Sequence, residues 1–108
     1  MTNAHVVFST IGQEEKAEEL ARSLVNEHLA ACVNIVGGVT SVYRWQGQVV
    51  TEREWILIIK TSSDMMESLL RRLRELHPYE VPEAISLHVD HGYLPYLEWL
   101  EKETRRRF

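Results

Sequence analysis

The spacing of hydrophobic residues divides the first part of the chain into a strand and a helix. The segment His5–Thr10 is short, apolar and rich in β-branched residues, which predicts a buried strand. Hydrophobic residues then recur at i, i+3, i+4 and i+7 with acidic residues between them, which predicts an amphipathic helix. Its apolar stripe comprises Ala17, Leu20, Ala21, Leu24, Val25, His28 and Leu29. Thr10 and Gln13 resemble a capping box at the start of this helix.

The next part of the chain, Ala31–Thr61, alternates with a period of two and predicts a long β-hairpin. Its turn is Trp45–Gln48, where Gly47 is able to take a positive φ. The pair Gly37–Gly38 predicts a bulge or a bend in the first arm.

A second helix, a fourth strand and a short third helix follow the hairpin. The second helix begins at Asp64 and ends at His77–Pro78, because proline disfavours helical geometry in the residue before it. The fourth strand is Ala84–Asp90, and a short helix with Pro95 near its start completes the chain. The second helix has an apolar stripe of Met66, Leu69, Leu70, Leu73 and Leu76.

The order βαββαβ, followed by a C-terminal helix, predicts an α+β fold of the ferredoxin-like type. Two helices would pack on one face of an antiparallel sheet, within a single domain of residues 1–108. Right-handed crossovers would place the first and third strands in the middle of that sheet.

The length of the hairpin suggests an oligomer. Sixteen extended residues, Ala31–Gln46, span roughly 50 Å, whereas a compact domain of this length is only about 35 Å across. A projecting hairpin would expose apolar side chains and free strand edges, which monomers seldom tolerate. We therefore expect the hairpin to pair with neighbouring subunits; the alternative is a bent hairpin that packs on its own sheet.

Composition and charge restrict the function. The chain has 108 residues, of which 44% are hydrophobic and 26% are charged, so it is typical of a globular protein. Its formal net charge of -4 disfavours nucleic-acid binding, and no strand carries the aromatic motif of RNA-recognition modules. The longest apolar run, Trp55–Ile59, is far shorter than a membrane helix requires. A single cysteine and the lack of secretory features near the first residue lead us to expect a cytoplasmic protein.

Few residues point to chemistry by pattern alone. Cys32 is a lone thiol, and a lone cysteine is usually a small buried hydrophobe. The histidines lack the spacing of a zinc site, and no nucleophile-and-base arrangement is recognisable, so we do not expect an enzyme. The loop His77–Glu83 is the most distinctive stretch, because two prolines stiffen an imidazole, a phenol and two carboxylates. It is either a binding loop or a helix stop with Tyr79 packed down and Glu80 solvated.

Several motifs, in order along the chain, resemble the CutA-type divalent-cation tolerance proteins. The motifs are Ala30–Asn34, Ser41–Gly47, Glu54, Lys60–Thr61, His77–Tyr79, Pro82–Glu83, Tyr96 and Trp99, and the resemblance extends from about residue 5 to residue 104. It implies a ferredoxin-like homotrimer in which long strands pair between subunits, with a structural kinship to PII-type signalling proteins. It also implies a role in tolerance of copper or another divalent cation, with copper binding as the usual explanation.

The resemblance also assigns candidate site residues. The copper ligands proposed for the family include a cysteine and two paired histidines, and Ser9 and Leu76 stand at two of these positions. The resemblance therefore leaves His77, together with the soft ligand Cys32, as the expected metal ligands. The other motif residues imply a pocket near a subunit junction, made of Tyr43, Trp45, Glu54, Lys60, Tyr79, Glu83 and Trp99. Two functions follow: metal tolerance through copper binding, or a PII-like regulatory module that binds a small molecule in inter-subunit clefts. A third function, that of an enzyme such as an acyl-phosphate hydrolase, ranks last because the sequence has no recognisable catalytic motif.

Overall fold

The computed structural model describes residues 2–105 and contains four strands and three α-helices. The elements in chain order are β1 (Ala4–Ile11), α1 (Glu14–Asn26), β2 (Cys32–Trp45), β3 (Gln48–Ser62), a 3₁₀ turn (Ser63–Met65), α2 (Met66–Leu76), β4 (Ile85–His88) and α3 (Leu94–Glu103). The order βαββαβα agrees with the prediction from the hydrophobic pattern. No helix within the described range is long and apolar enough to cross a bilayer.

The four strands form one antiparallel sheet in the order β2-β3-β1-β4. The first and third strands therefore lie in the middle, as the right-handed crossover rule predicted. This is the α+β, ferredoxin-like arrangement expected from the sequence.

One face of the sheet is covered by α1 and α2. Alternate residues of the central strands point to this face and meet the apolar stripes of both helices, which buries the main core. Its largest fully buried members are Val7, Ile11, Leu24, Leu57, Ile59, Leu69 and Leu73. Burying each of these aliphatic side chains contributes roughly 1.5–3 kcal/mol.

The opposite face of the sheet is apolar and largely uncovered; we call it the open face. It carries Val6 and Phe8 of β1, which lie across from Leu87 and Ile85 of β4. Leu87 is 63% exposed and Ile85 is 61% exposed. Helix α3 covers only one end of this region, where Leu100 packs against Ala4 and Ala31.

The long hairpin is bulged at its middle and tightly turned at its tip. The pairing register shifts between Val36 and Val39, and Gly38 has a φ of 72°, which confirms the predicted bulge. At the tip, Gln46 and Gly47 take φ values of 50° and 79°, as a type I′ turn requires. The molecule measures 44 × 29 × 22 Å, and apolar side chains such as Val42 near the tip stay exposed.

Two local predictions at helix α1 were wrong. The helix ends at Asn26 instead of continuing to Leu29, because His28 takes a left-handed φ of 61°. The Leu29 N–H then donates to the Leu24 carbonyl and the His28 N–H to the Val25 carbonyl, which is a Schellman ending. At the other end, Gln13 is the N-cap and no side chain caps the helix, so Thr10 and Gln13 form no capping box. Strand β4 is also shorter than the predicted Ala84–Asp90.

Candidate functional site

A cavity of about 670 Å³ opens where the outer half of the hairpin meets the loop that follows α2. We call it the hairpin cavity. Its lining residues are Thr10, Ser41, Val42, Tyr43, Trp45, Glu54, Tyr79, Glu80, Val81 and Glu83. The structure therefore brings together Tyr43, Trp45, Glu54, Tyr79 and Glu83 of the pocket expected from the sequence.

The centre of the hairpin cavity is a hydrogen bond between β3 and the loop. The Tyr79 hydroxyl donates to Glu54 Oε2 over 2.7 Å, and Glu54 is only 4% exposed. Glu54 pairs with Val39, the first residue after the bulge, so the two glycines set where this carboxylate lies along the hairpin. Burial, together with the hydrogen bond to Glu54, raises the pKa of the Tyr79 phenol well above its usual value, so the hydroxyl stays a donor.

His77 anchors the start of the same loop to the end of β1. The Tyr79 backbone N–H donates to His77 Nδ1 over 3.1 Å, so the ring proton must lie on Nε2. That nitrogen donates to the Thr10 carbonyl over 2.8 Å. The ring also meets Tyr79 edge-on, with centroids 4.7 Å apart. The distinctive loop is therefore a fixed wall of the hairpin cavity.

The same contacts bear on the expected role of His77 as a metal ligand. Burial lowers the pKa of His77, although the hydrogen bond to Thr10 and the charge of Glu54 act in the opposite direction. The imidazole is thus held neutral, but both of its nitrogens already have hydrogen-bond partners. A metal ion would have to displace the Tyr79 N–H or the Thr10 carbonyl to bind His77.

The remaining wall of the hairpin cavity is aromatic and acidic. Tyr43 and Trp45 come from the outer arm of β2 and are partly exposed. Desolvation, with the nearby charges of Glu52 and Glu54, raises the pKa of the Tyr43 phenol. No lysine or arginine of the described chain lines the cavity, whereas Glu54, Glu80 and Glu83 do. Its electrostatic character is therefore negative.

The other expected site residues lie elsewhere. Lys60 Nζ donates to Asn34 Oδ1 and lies 4.0 Å from Cys32 Sγ, near the start of β2. Cys32 pairs with Lys60, whereas Thr10, the partner of His77, pairs with Ile56. Lys60 and Ile56 are four residues apart on β3, which is roughly 13 Å along the strand. Within one chain, Cys32 and His77 therefore do not share a site.

Trp99 also lies outside the hairpin cavity. It stands on α3 beside Tyr96, with ring centroids 5.5 Å apart. Burial raises the pKa of Tyr96, and the nearby Cys32 thiol adds a smaller rise. Helix α3 therefore lies beside the start of β2. Within residues 2–105, no three histidine, cysteine or acidic side chains come together in a way that could hold a metal ion.

The cavity also contains residues that the motif pattern did not single out. Ser41 and Val42 lie within the Ser41–Gly47 motif, and Glu80 and Val81 lie within the loop after α2. Because these four residues lie within a motif and a loop that the sequence had already singled out, they could have been predicted as cavity residues. Thr10 had no such signal, because only the packing of the loop against β1 brings it to the cavity.

Comparison with known proteins decides the family. The sequence model of the CutA1 divalent ion tolerance proteins matches residues 5–103. The chain belongs to this family. The divalent-cation tolerance protein CutA of Thermus thermophilus is 48% identical over 99 residues, which cover 92% of this chain and 96% of that protein. Human Protein CutA is 42% identical over 97 residues, which cover 90% of this chain and 54% of that protein.

Solved CutA structures share the whole fold. The Thermus thermophilus protein superposes with a TM-score of 0.92 at 47% identity, covering 94% of this chain and 99% of that one. CutA from Xylella fastidiosa gives a TM-score of 0.94 at 41% identity, covering 96% and 100%. The chain spans only about half the length of its plant and animal CutA relatives. The rice and Arabidopsis relatives are named chloroplastic, and an Archaeoglobus fulgidus CutA is named periplasmic.

Proposed function

We propose that this CutA-family protein is a homotrimer that acts in divalent-cation tolerance as a regulatory module, each hairpin cavity binding a small cationic ligand at a subunit junction. The observation that carries this proposal is the buried Glu54 carboxylate, which lines the cavity and has a neutral phenol as its recorded partner. A buried charge is costly unless it is paired, so a cation in the cavity would stabilise it.

The open face and the hairpin support the trimer. Ile85 and Leu87 leave an apolar surface on the sheet, and soluble monomers rarely expose large patches of this kind. The outer strands β2 and β4 each have one unpaired edge within the described sheet, which further strands could extend. A trimer would cover the open face and place a neighbouring chain beside each cavity.

Sedimentation and native mass spectrometry test the oligomer. Three chains of 12.6 kDa give 3 × 12.6, or about 38 kDa. We expect this mass at micromolar concentration, and a 12.6 kDa species there would refute the trimer. Protein isolated directly from its own cells should be measured without chelators, because the same spectrum would report a retained ligand.

The size and lining of the hairpin cavity favour an organic cation. Small-molecule sites typically have volumes of about 300–1,000 Å³ with apolar walls and a few polar groups, and this cavity has about 670 Å³. Tyr43 and Trp45 offer aromatic faces to a cationic group, while Glu54 supplies the charge. An ammonium or guanidinium compound fits this arrangement better than a carboxylate or a phosphate.

A ligand panel tests this choice. Thermal-shift and calorimetric titrations would compare small amines, guanidinium compounds and carboxylates on the intact protein. We expect binding by cations only, and loss of at least about tenfold in affinity in Glu54→Gln, since a charged hydrogen-bonded pair is worth about 1.5–3 kcal/mol. Glu98→Gln on α3 is the matched control. Tighter binding of anions would overturn the assignment.

Copper binding is a second candidate, which membership of a divalent ion tolerance family and the partly exposed thiol of Cys32 support. Thiolate favours copper(I), and a neutral imidazole such as His77 suits copper(II). Copper titrations of the wild type, His77→Ala and Cys32→Ser would show which of these two side chains binds the ion. Equal affinity in wild type and His77→Ala would remove His77 as a ligand, and the same comparison applies to Cys32.

We also propose a cytoplasmic location for the protein. The support is the single free thiol, which suits a reducing compartment. Fractionation of the source cells followed by immunodetection would test it, and recovery from another compartment would contradict it.

A further inference from the structure

Two histidines face each other across the β1–β4 pair, at the end of β1 away from the hairpin cavity. His5 and His88 are direct cross-strand partners in the register of the two strands. Their ring centroids are 4.9 Å apart, with the planes inclined by 59°. Neither residue lines the cavity, and His5 lies across from Thr61 of β3, one residue from Lys60, the partner of Cys32.

The hydrogen bonds of His5 favour one tautomer. His5 Nε2 lies 2.8 Å from Ser63 Oγ, which is also 3.4 Å from the Asn3 carbonyl oxygen. When the serine hydroxyl donates to that carbonyl, its oxygen accepts from His5 Nε2–H, and we assign His5 this tautomer. His5 Nδ1 then carries a lone pair, and it is buried without a hydrogen-bond partner.

His88 has the same tautomer. Its Nε2 lies 2.6 Å from the Thr2 carbonyl oxygen, which can only accept. His88 Nε2 is therefore protonated, and its Nδ1 also carries a lone pair. Two facing imidazoles thus hold their N–H groups on fixed oxygens and keep their Nδ1 lone pairs available.

This is the arrangement that metal-binding histidines adopt in proteins. A ligating histidine almost always donates its second ring nitrogen to a carbonyl, a carboxylate or another polar oxygen, which fixes both tautomer and orientation. An unpartnered buried nitrogen is otherwise a cost to the fold.

We infer that His5 and His88 form a two-histidine site for a divalent transition-metal ion, with Nδ1 of each ring as the ligands. Imidazole suits Cu²⁺, Ni²⁺ and Zn²⁺, of which Cu²⁺ binds nitrogen sites most tightly. The exposed position of His88 opens the site to solvent, and water completes the coordination of the ion. Ser63 is a positioning residue, because it orients His5 without touching the metal.

Calorimetric titration with Cu²⁺ alone tests the site on the full chain. We expect His5→Gln and His88→Gln each to lower the Cu²⁺ affinity of this site by at least about tenfold. Mutations of residues that only hydrogen-bond to a metal ligand already cost about 10–100-fold, so loss of a ligand itself should cost no less. His91→Gln is the matched control, since His91 is an exposed histidine three residues from His88. Unchanged affinity in His88→Gln would overturn the inference, and this variant alters only an exposed side chain.

Two further measurements distinguish ligation from a structural role. In ¹⁵N-labelled protein, long-range imidazole spectra should show both rings as Nε2–H tautomers, and Zn²⁺ should shift Nδ1 of both rings together. Ser63→Ala should lower affinity by about 10–100-fold, and Ser63→Thr, which keeps the hydroxyl, should restore it. A protonated Nδ1 on either ring in the metal-free protein, or a zinc-induced shift confined to His91, would contradict the site.

Discussion

The Tyr79 hydroxyl donates to the buried Glu54 carboxylate over 2.7 Å and thereby joins the loop after α2 to strand β3. The bond closes one side of the hairpin cavity and supplies the only hydrogen bond recorded for that carboxylate among residues 2–105. The Gly12 backbone also lies close to this hydroxyl, since a Cβ there would come within 3.0 Å of it. Tyr79 is therefore held on two sides.

Tyr79→Phe should destabilise the protein. The change removes the donor and leaves the Glu54 carboxylate buried without a partner, which costs about 1–3 kcal/mol. Denaturant unfolding at one fixed protein concentration measures the loss. Tyr93→Phe is the control, because Tyr93 is 78% exposed and should tolerate the change. Equal midpoints for both variants would contradict the importance of this bond.

Mild acid should weaken the fold through His77. Burial lowers the pKa of His77 in the folded protein below its value of about 6.5 in the unfolded chain. Its contribution to stability is therefore present above about pH 6.5 and is lost as the pH falls through the folded pKa. Proton NMR of the ring should give a midpoint below that of a model peptide, and a midpoint at or above it would refute the prediction.

A β-branched residue at Gly38 should disturb the bulge. The φ of 72° disfavours any side chain, but asparagine tolerates left-handed geometry far better than valine does. Both substitutions place a Cβ 2.6 Å from Arg53 Nη2, so this clash is common to both and does not enter the comparison. We expect Gly38→Val to be less stable than Gly38→Asn by about 1–2 kcal/mol in chemical denaturation. Equal stability of the two variants would contradict this prediction and would show that the bulge changes its backbone geometry to accommodate valine.

A charge on the open face should dissociate the proposed trimer. Ile85→Lys places an ammonium group on the apolar surface, where a subunit contact would leave the charge desolvated. Leu70→Lys is the control, because Leu70 is a partly exposed residue of α2 on the other side of the sheet. Sedimentation should show smaller species for Ile85→Lys alone. A trimer that persists in Ile85→Lys would exclude this part of the open face from the interface.

The sequence predicted the elements where local physics dominates. The period-two alternation in β2 and β3, the glycines of the bulge and the turn, and the stripe of α2 each depend on neighbours in the chain. The end of α1 was missed because a histidine, rather than a glycine, takes the left-handed position at residue 28. Its ring finds a partner in the Glu103 carbonyl, 75 residues away, which no local pattern reveals.

For the candidate site, the motif residues Tyr43, Trp45, Glu54, Tyr79 and Glu83 were predicted from the sequence and its family resemblance, together with the rigid loop that carries the last two. The three-dimensional packing then showed that these five share a cavity while Lys60 and Trp99 lie elsewhere, and that both nitrogens of His77 are already engaged. The reason is physical. Spacing along a strand fixes which face a side chain occupies, but hydrogen bonds between distant segments fix which side chains meet and which lone pairs stay free.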